Sequence, residues 1–337
     1  MATTIYDIAR EVGTSAVTVS LALRNSSKVS KNTQTKIKEV AQKLDYRPNP
    51  LGRGLVGAPT KTIAFVFNYA SEKLANDMTF IELFNYIAHE ASTRGYKIFF
   101  HSSIVAKPIK DVISEVASYA VDGIVLISKV NPSTDEESLE KSGVPIVLIN
   151  RDFHYRTTSC LLFDDISGGS QIMQHLFSLG HRRIAFVGKH ENESAIRRFE
   201  SYKESLRNAG IAYDDDMVLE CGFDVDSGEQ AATRIAAMSS RPTAVMAASD
   251  LVAIGVMAGL RQHGILVPEH ISITGFSNMH ISKFTYPTLT TIDFSGEQVA
   301  AAAIEKLLKM ISGECQGVRK VIPAKLIIRN STMQAAY

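Results

Sequence analysis

A small helical head followed by an α/β body of doubly wound parallel sheets is the fold class this sequence predicts. Three observations carry it. Residues 1–47 repeat apolar positions at helical spacing, with a Ser or Thr before each run. From Lys61 onward, short β-branched runs alternate with helix-length amphipathic stretches, the pattern of parallel strands buried on both faces. Between the two, "NPLGRGLVGAPTK" is rich in Gly and Pro and reads as a linker.

In the head, Thr4 with Asp7 three residues on makes a capping pair. Ile5, Ile8, Ala9 and Val12 then share one face until Gly13 stops the helix. Ser15 caps a second helix whose inward positions are Val19, Ala22 and Leu23. Ser30 caps a third, striped by Ile37, Val40, Ala41 and Leu44 and ended by Pro48. In the body, "TIAFVFN", "YKIFFHSSI", "GIVLISKV" and "PIVLIN" read as strands of one half, and "RIAFVGK", "MVLECGF", "TAVMAAS" and "ISITGFS" as strands of the other. The rhythm loosens at "HYRTTSCLLFDD", which puts the division near residue 160.

With 337 residues, 45% of them apolar, the chain can bury a core large enough for more than one domain. Its formal charge of +1 conceals an asymmetry: residues 1–60 hold nine Lys/Arg against four Asp/Glu, and the remainder twenty-seven against thirty-one. A basic head on an acidic body suits a polyanionic partner, although a merely solubilising surface would show the same imbalance. Cys160, Cys221 and Cys315 are odd in number and lie at no ligand spacing, so they read as reduced thiols. With no signal peptide and no long apolar run, the expected location is the cytoplasm.

Helix, Gly-containing turn, helix is the spacing of a helix-turn-helix, whose second helix enters the major groove of DNA. The hydroxyls of Ser15 and Thr18 would then meet phosphates. Ala16, Val17, Ser20 and Leu21, taken as the outward positions, include no Arg, Asn or Gln, so readout would rest on methyl groups and DNA shape, with Arg24 as the polar reader. A three-helix cap that only packs on the body is the rival reading. The neighbouring Lys28, Lys31, Lys36, Lys38, Lys43 and Arg47 favour DNA.

"GRGLVG", Gly52 to Gly57, matches a dinucleotide-binding glycine pattern but follows "YRPNPL", whose prolines exclude the central strand such a site needs. Nucleotide-dependent catalysis therefore has no other support, and no catalytic, metal-ligand or cofactor motif is present. The loop "GKHENES" lacks a second ligand for a metal and reads as solvated. Arg197 and Arg198 open a helix just after it, where open α/β sheets bind ligands, and an arginine there opposes the helix dipole unless a ligand compensates.

These segments resemble the LacI/GalR family of bacterial transcription regulators over essentially the whole chain. The head is similar to T-x-x-D-V-A-x-x-A-G-V-S-x-x-T-V-S-R through Thr4, Asp7, Ile8, Ala9, Gly13, Ser15, Thr18, Val19 and Ser20. "VSKNTQTKIKEVAQKLDYRPN" keeps Ser30, Thr33, Tyr46, Pro48 and Asn49 in step, and "LGHRRIAFVG", "RPTAVMAASDLVAIG", "VPEHISITGF" and "PTLTTI" resemble family signatures of the body.

The resemblance implies a homodimeric repressor binding a two-fold operator, with a body shaped like periplasmic sugar-binding proteins that takes a small effector, a sugar or sugar derivative, between its lobes. It implies a helix-turn-helix domain over 1–47, a hinge over 48–60 and an effector-binding and dimerisation domain over 61–337. Lobe 1 would take about 61–160 and 293–320, and lobe 2 about 161–292 and 321–334. DNA contacts carry over to Ile5, Tyr6, Ser15, Ala16, Val17, Thr18, Ser20, Leu21, Arg24, Lys28, Ser30, Thr33 and Tyr46, and in the hinge to Asn49, Arg53 and a minor-groove wedge, Leu55.

Effector contacts carry over to Phe80 and Phe223 as stacking walls, Arg198 as the polar clamp, and Asn150, Ser249 and Ser277 at strand ends. Asp164 and Asp250 are expected to cap helices. The chain departs from the family where Leu21 replaces an arginine, where Ser249 and Ser277 replace stronger polar groups, where "DMTF" replaces N-P-F-F, and where Gly52 and Gly54 weaken the hinge helix. No leucine heptad follows "KLIIRNST", so no tetramer-forming tail is expected. A solute-binding module of the periplasmic type, with no DNA role, is the alternative; it shares the body but not the head.

Overall fold

The computed structural model describes residues 3–23, 25–46, 59–68, 78–102, 105, 107–128, 132–152, 158–188 and 193–335. The chain divides into two compact units, Met1–Thr60 and Lys61–Tyr337.

The first unit holds α1 (Ile5–Val12), α2 (Ala16–Leu23) and α3 (Lys31–Lys43). At the start of α1, the Thr4 amide and hydroxyl both donate to Asp7 Oδ2, at 2.9 and 2.6 Å. Gly13 ends the helix at φ 74°, a left-handed conformation that a side chain would strain. Ser15 Oγ accepts from the Thr18 amide at 3.1 Å, and Ser30 Oγ from the Thr33 amide at 3.3 Å. Gln34 Nε2 donates to the Ser26 and Val29 carbonyls, both at 2.9 Å, and so pins the turn before α3. Ile8, Ala9, Val19, Ala22, Val29, Ile37 and Ala41 form the core, with Leu23, Val40 and Leu44 half-buried at its edge.

The second unit opens with β1 (Thr62–Asn68), α4 (Met78–Thr93), β2 (Lys97–Ser102), α5 (Ile109–Ser118), β3 (Gly123–Ser128), α6 (Pro132–Lys141), β4 (Ile146–Ile149) and β5 (Thr158–Phe163). It continues with α7 (Asp165–Ser178), β6 (Ile184–Val187), α8 (Glu193–Asn208), β7 (Val218–Leu219), α9 (Val225–Ala237), β8 (Ala244–Ala247), α10 (Asp250–Gln262) and β9 (Ser272–Thr274). It ends with β10 (Thr291–Asp293), α11 (Gly296–Ile311), β11 (Arg319–Ile322) and β12 (Lys325–Ile327). One sheet has the order β11-β5-β4-β3-β1-β2 and a second β7-β6-β8-β9, every pairing parallel, while β10 and β12 form an antiparallel pair.

Alternation within the strands explains the layers. Ala64, Val66, Ile124, Leu126 and Leu148 pack with Val112, Ile113 and Val116 of α5, while Ile63, Phe65, Val125 and Val147 pack with Ile87 of α4 and with Ile304 and Leu307 of α11. In the second sheet, Ala185, Val187, Val245 and Ala247 meet α9 and α10, and Ile184, Phe186 and Met246 meet α7 and α8. Strands buried on both faces therefore read as continuous apolar runs. Helices α9 and α10 approach so closely that a Cβ on Gly255 would lie 2.0 Å from the Val225 carbonyl oxygen.

The expected division near residue 160 falls inside β5, which lies wholly in the first sheet. Its Cys160 faces the α5 layer and Leu161 the other, so the strand needs both covers of that sheet, and the crossover follows Phe163. The last strand of the first sheet, β11, likewise runs to Ile322, past the expected boundary at 320. "MVLECGF" contributes only the two residues of β7 to a strand.

Candidate nucleic-acid interface and polar cluster of the body

Among the described residues of the head, Val17 at 68% and Tyr6 at 69% are the most exposed large apolar side chains. Ile5, Ala16, Leu21 and Tyr46, expected at the DNA surface, are half-buried against the head's own core. Three short helices have few side chains with which to close a core, and they recruit these as well. Ala16 and Leu21 are therefore not fully outward, a correction to the helical reading. Ser20 is half-buried and Lys28 is exposed.

The Ser15 and Thr18 hydroxyls lie 2.9 Å apart, and those of Ser30 and Thr33 2.8 Å apart. Each serine is first a helix cap; the remaining first-turn amides of α2 and α3 are the groups available to an anion. Arg24, Asn49, Arg53 and Leu55 lie outside the described residues.

In the body, polar groups converge where the strands end. Asn150 follows β4 with φ 56°, a left-handed conformation that Asn tolerates better than most residues. Its Oδ1 accepts from the Phe163 amide at 3.3 Å and from Arg197 Nη2 at 3.0 Å, and its Nδ2 donates to Ser194 Oγ. Arg197 and Arg198, from the first turns of α8, both reach Asp165, which opens α7 and is 1% exposed. Arg198 Nε donates to Asp165 Oδ1 at 2.8 Å, and Arg197 donates to Oδ2 through Nε at 3.1 Å and Nη2 at 2.8 Å. Arg198 Nη1 also donates to the Ala248 carbonyl at 2.6 Å, and its guanidinium lies 4.0 Å above the buried Phe276 ring. Arg151 Nε donates to the Ser128 carbonyl at 2.9 Å, and Glu193 stands 3.8 Å from Arg151 and 3.6 Å from Arg197.

Several expected contacts have other tasks. Phe80 is 7% exposed, stacks on Phe65 with centroids 5.3 Å apart and meets Phe67 in a tilted contact at 4.2 Å; it is a core aromatic. Phe223 is half-buried against the main core. Ser249 Oγ caps α10 by accepting from the Val252 amide at 3.2 Å. Ser277 holds φ 125°, with its amide donating to the Ile292 carbonyl at 2.9 Å. Asp164 caps α7 through the Ser167 amide at 3.1 Å, as expected.

Asp250, expected as a cap, instead binds the segment after β9. It accepts from the Met279 amide at 2.8 Å and from the Ser282 and Thr291 hydroxyls at 2.5 Å each. Burial pushes its carboxyl above the usual range while those three donors pull it down. Reading along the chain missed Asp165, Ser194 and Phe276; the only signal was an acidic doublet, Asp164–Asp165, complementing the basic doublet Arg197–Arg198.

Residues 4–49 match the family described as bacterial regulatory proteins, lacI family, and residues 173–332 the periplasmic binding protein-like domain. The chain is 28% identical over 339 residues to the HTH-type transcriptional regulator DegA of Bacillus subtilis (strain 168), covering 98% of each. Among solved structures it is similar to the complex of the transcriptional regulator CelR with cellobiose, at 27% identity and TM-score 0.71 over 98% of this chain and 99% of that one. It shares its fold with the lac repressor dimer bound to operator and the anti-inducer ONPF, at 23% identity and TM-score 0.85 over 99% and 100% of the two chains. With a lacI-type head at its amino end and a periplasmic binding protein-like domain behind it, the chain belongs to the LacI/GalR family of transcriptional regulators.

Proposed function

We propose that this chain is a non-catalytic cytoplasmic repressor, which binds a two-fold operator as a homodimer and responds to a small molecule, a sugar or sugar derivative, held between its lobes. The observation that carries the reading is the head: a capped helix with Val17 outermost, beside a run of lysines. Val17 then reads thymine methyls, Tyr6 and Lys28 flank it, and the first-turn amides of α2 and α3 hold phosphates. Arg24, Asn49, Arg53 and Leu55 complete the contact set by resemblance alone.

Exposed apolar side chains on the body support dimerisation. Ile81 and Tyr86 on α4, Phe100 on the edge strand β2, and Ile281, Phe284 and Tyr286 after β9 are all exposed, Tyr286 to 93%. The His280 amide donates to Glu82 Oε1 at 2.9 Å, which brings the last three beside α4. A second copy covering this face would remove a large apolar area from water.

Fluorescence anisotropy on a palindromic half-site library, repeated at several salt concentrations, tests the DNA reading. Tight binding to a subset of sites with a steep negative log–log salt slope is expected. Equal affinity for every duplex would overturn it. The paired substitutions Phe284→Asp and Tyr286→Asp should give a monomer in sedimentation.

A further inference from the structure

Two carboxylates are fully buried among the described residues, and they are satisfied in different ways. Asp165 meets guanidiniums. Asp250 forms no ion pair among the described residues, and its donors all come from the segment that follows β9. Its Oδ2 accepts from the Met279 amide at 2.8 Å and the Ser282 hydroxyl at 2.5 Å, and its Oδ1 from the Thr291 hydroxyl at 2.5 Å. The Asp250 amide donates in turn to the Phe276 carbonyl at 3.1 Å. A Cβ on Gly275 would lie 2.3 Å from Oδ1, so the carboxylate is enclosed on that side as well.

Residues 277–291 form a loop wrapped around that carboxylate. Ser282 and Thr291 turn inward and are fully buried, whereas Ile281, Phe284 and Tyr286 are exposed. The Leu289 amide donates to the Ser282 carbonyl at 2.9 Å and closes the loop. Arg329 grips its base through the Leu289 carbonyl and Asn278 Oδ1, both at 2.5 Å. A buried carboxylate without a cation beside it is tolerated only while its acceptor sites are filled. Displacing the loop withdraws three donors at once, so Asp250 fixes it as a unit.

We propose that Asp250 is a positioning residue for self-association: from inside, it holds the 277–291 loop in the shape that presents Phe284 and Tyr286 to a second copy of this chain. This rests on the loop lying in the dimer face, as proposed above. A loop already fixed loses little conformational freedom on association. A loosened loop must be ordered by the partner, which lowers affinity without removing a single contact between the copies.

The test is hydrogen–deuterium exchange of the full chain, read by mass spectrometry, with the dimer dissociation constant taken from sedimentation equilibrium. Ser282→Ala removes one donor to Asp250. It should speed exchange in 277–291 about tenfold and weaken the dimer about tenfold, while the strands of the second sheet exchange as before. Asp250→Val should have the larger effect on both. Asp250→Asn should stay near the unmodified chain: its amide oxygen accepts from Met279 and Ser282, and its amide nitrogen donates to the Thr291 hydroxyl, which can accept. Where Asp250→Val does not fold, Thr291→Val, which also removes one donor, takes its place.

Repeating Ser282→Ala in the chain that carries Phe284→Asp and Tyr286→Asp separates loop from interface. Faster loop exchange in that chain, already monomeric, supports the internal clamp. Loop exchange indifferent to Ser282→Ala there overturns the clamp while the dimer face stands. A loosened loop with an unaltered dimer constant overturns the link to self-association. If the Phe284→Asp and Tyr286→Asp chain stays dimeric, the face itself is wrong and the proposal falls with it.

Discussion

Arg197 Nη2 donates to Asn150 Oδ1 at 3.0 Å, joining the end of a first-sheet strand to the second turn of a helix on the second sheet. The bond crosses between the two sheets, and Asn150 Nδ2 doubles it through Ser194. Asn150 also stands at φ 56°, so its side chain and its backbone conformation serve the same junction.

Two substitutions there separate the contributions. Asn150→Gly keeps the left-handed backbone and deletes the side-chain bonds, which should cost about 1–3 kcal/mol of stability. Asn150→Ala deletes the same bonds and adds strain, so it should lie a further ~1 kcal/mol lower. Urea denaturation of both variants measures the difference; equal stabilities would show that the backbone conformation is not under constraint.

Asp165 is shared by two guanidiniums, one of them nearly buried. Asp165→Leu should destabilise by about 3–5 kcal/mol, because Arg198 keeps a charge with the Ala248 carbonyl and the Phe276 ring, but no carboxylate, to meet it. The double substitution with Arg198→Leu should recover part of the loss, and a double-mutant cycle on denaturation midpoints reads the coupling. Additive losses would refute the pairing.

Close approach of α9 and α10 makes Gly255 irreplaceable. A methyl group there meets the Val225 carbonyl, which belongs to a helix and cannot swing aside, so Gly255→Ala should lower stability by about 1–3 kcal/mol despite alanine's better helix propensity. An unchanged melting temperature would show that the helices separate freely.

Burial pushes the imidazole of His181 below its usual range near 6.5, against the opposing effect of the Met333 carbonyl. Burial lowers His175 as well. A folded-state value below the unfolded one means that the unfolded chain takes up protons first. The stabilisation is therefore complete above about pH 6.5 and declines as the pH falls below it. The melting temperature should drop between pH 7 and 5.5, and less steeply in His175→Gln; a flat profile would show that neither ring is held neutral.

Much of this molecule was legible from residue order alone. Helix caps at Thr4, Ser15, Ser30 and Asp164 depend on neighbours three residues away, and parallel strands announce themselves because both faces must be apolar. β5 escaped because its run, Thr158–Phe163, starts with small polar residues that are nonetheless buried.

Local chemistry thus determined the kind of element, the head's three helices and the two-sheet body. Only tertiary structure decided which polar groups remain free for a ligand. Arg198 looked like a clamp until Asp165, 33 residues earlier, was found holding it, and Phe80 and Ser249 looked like cleft walls until the core and a helix terminus claimed them. A hydrogen bond's donor and acceptor must meet within about 3 Å, and that meeting is set by how the chain folds back on itself, not by composition or spacing.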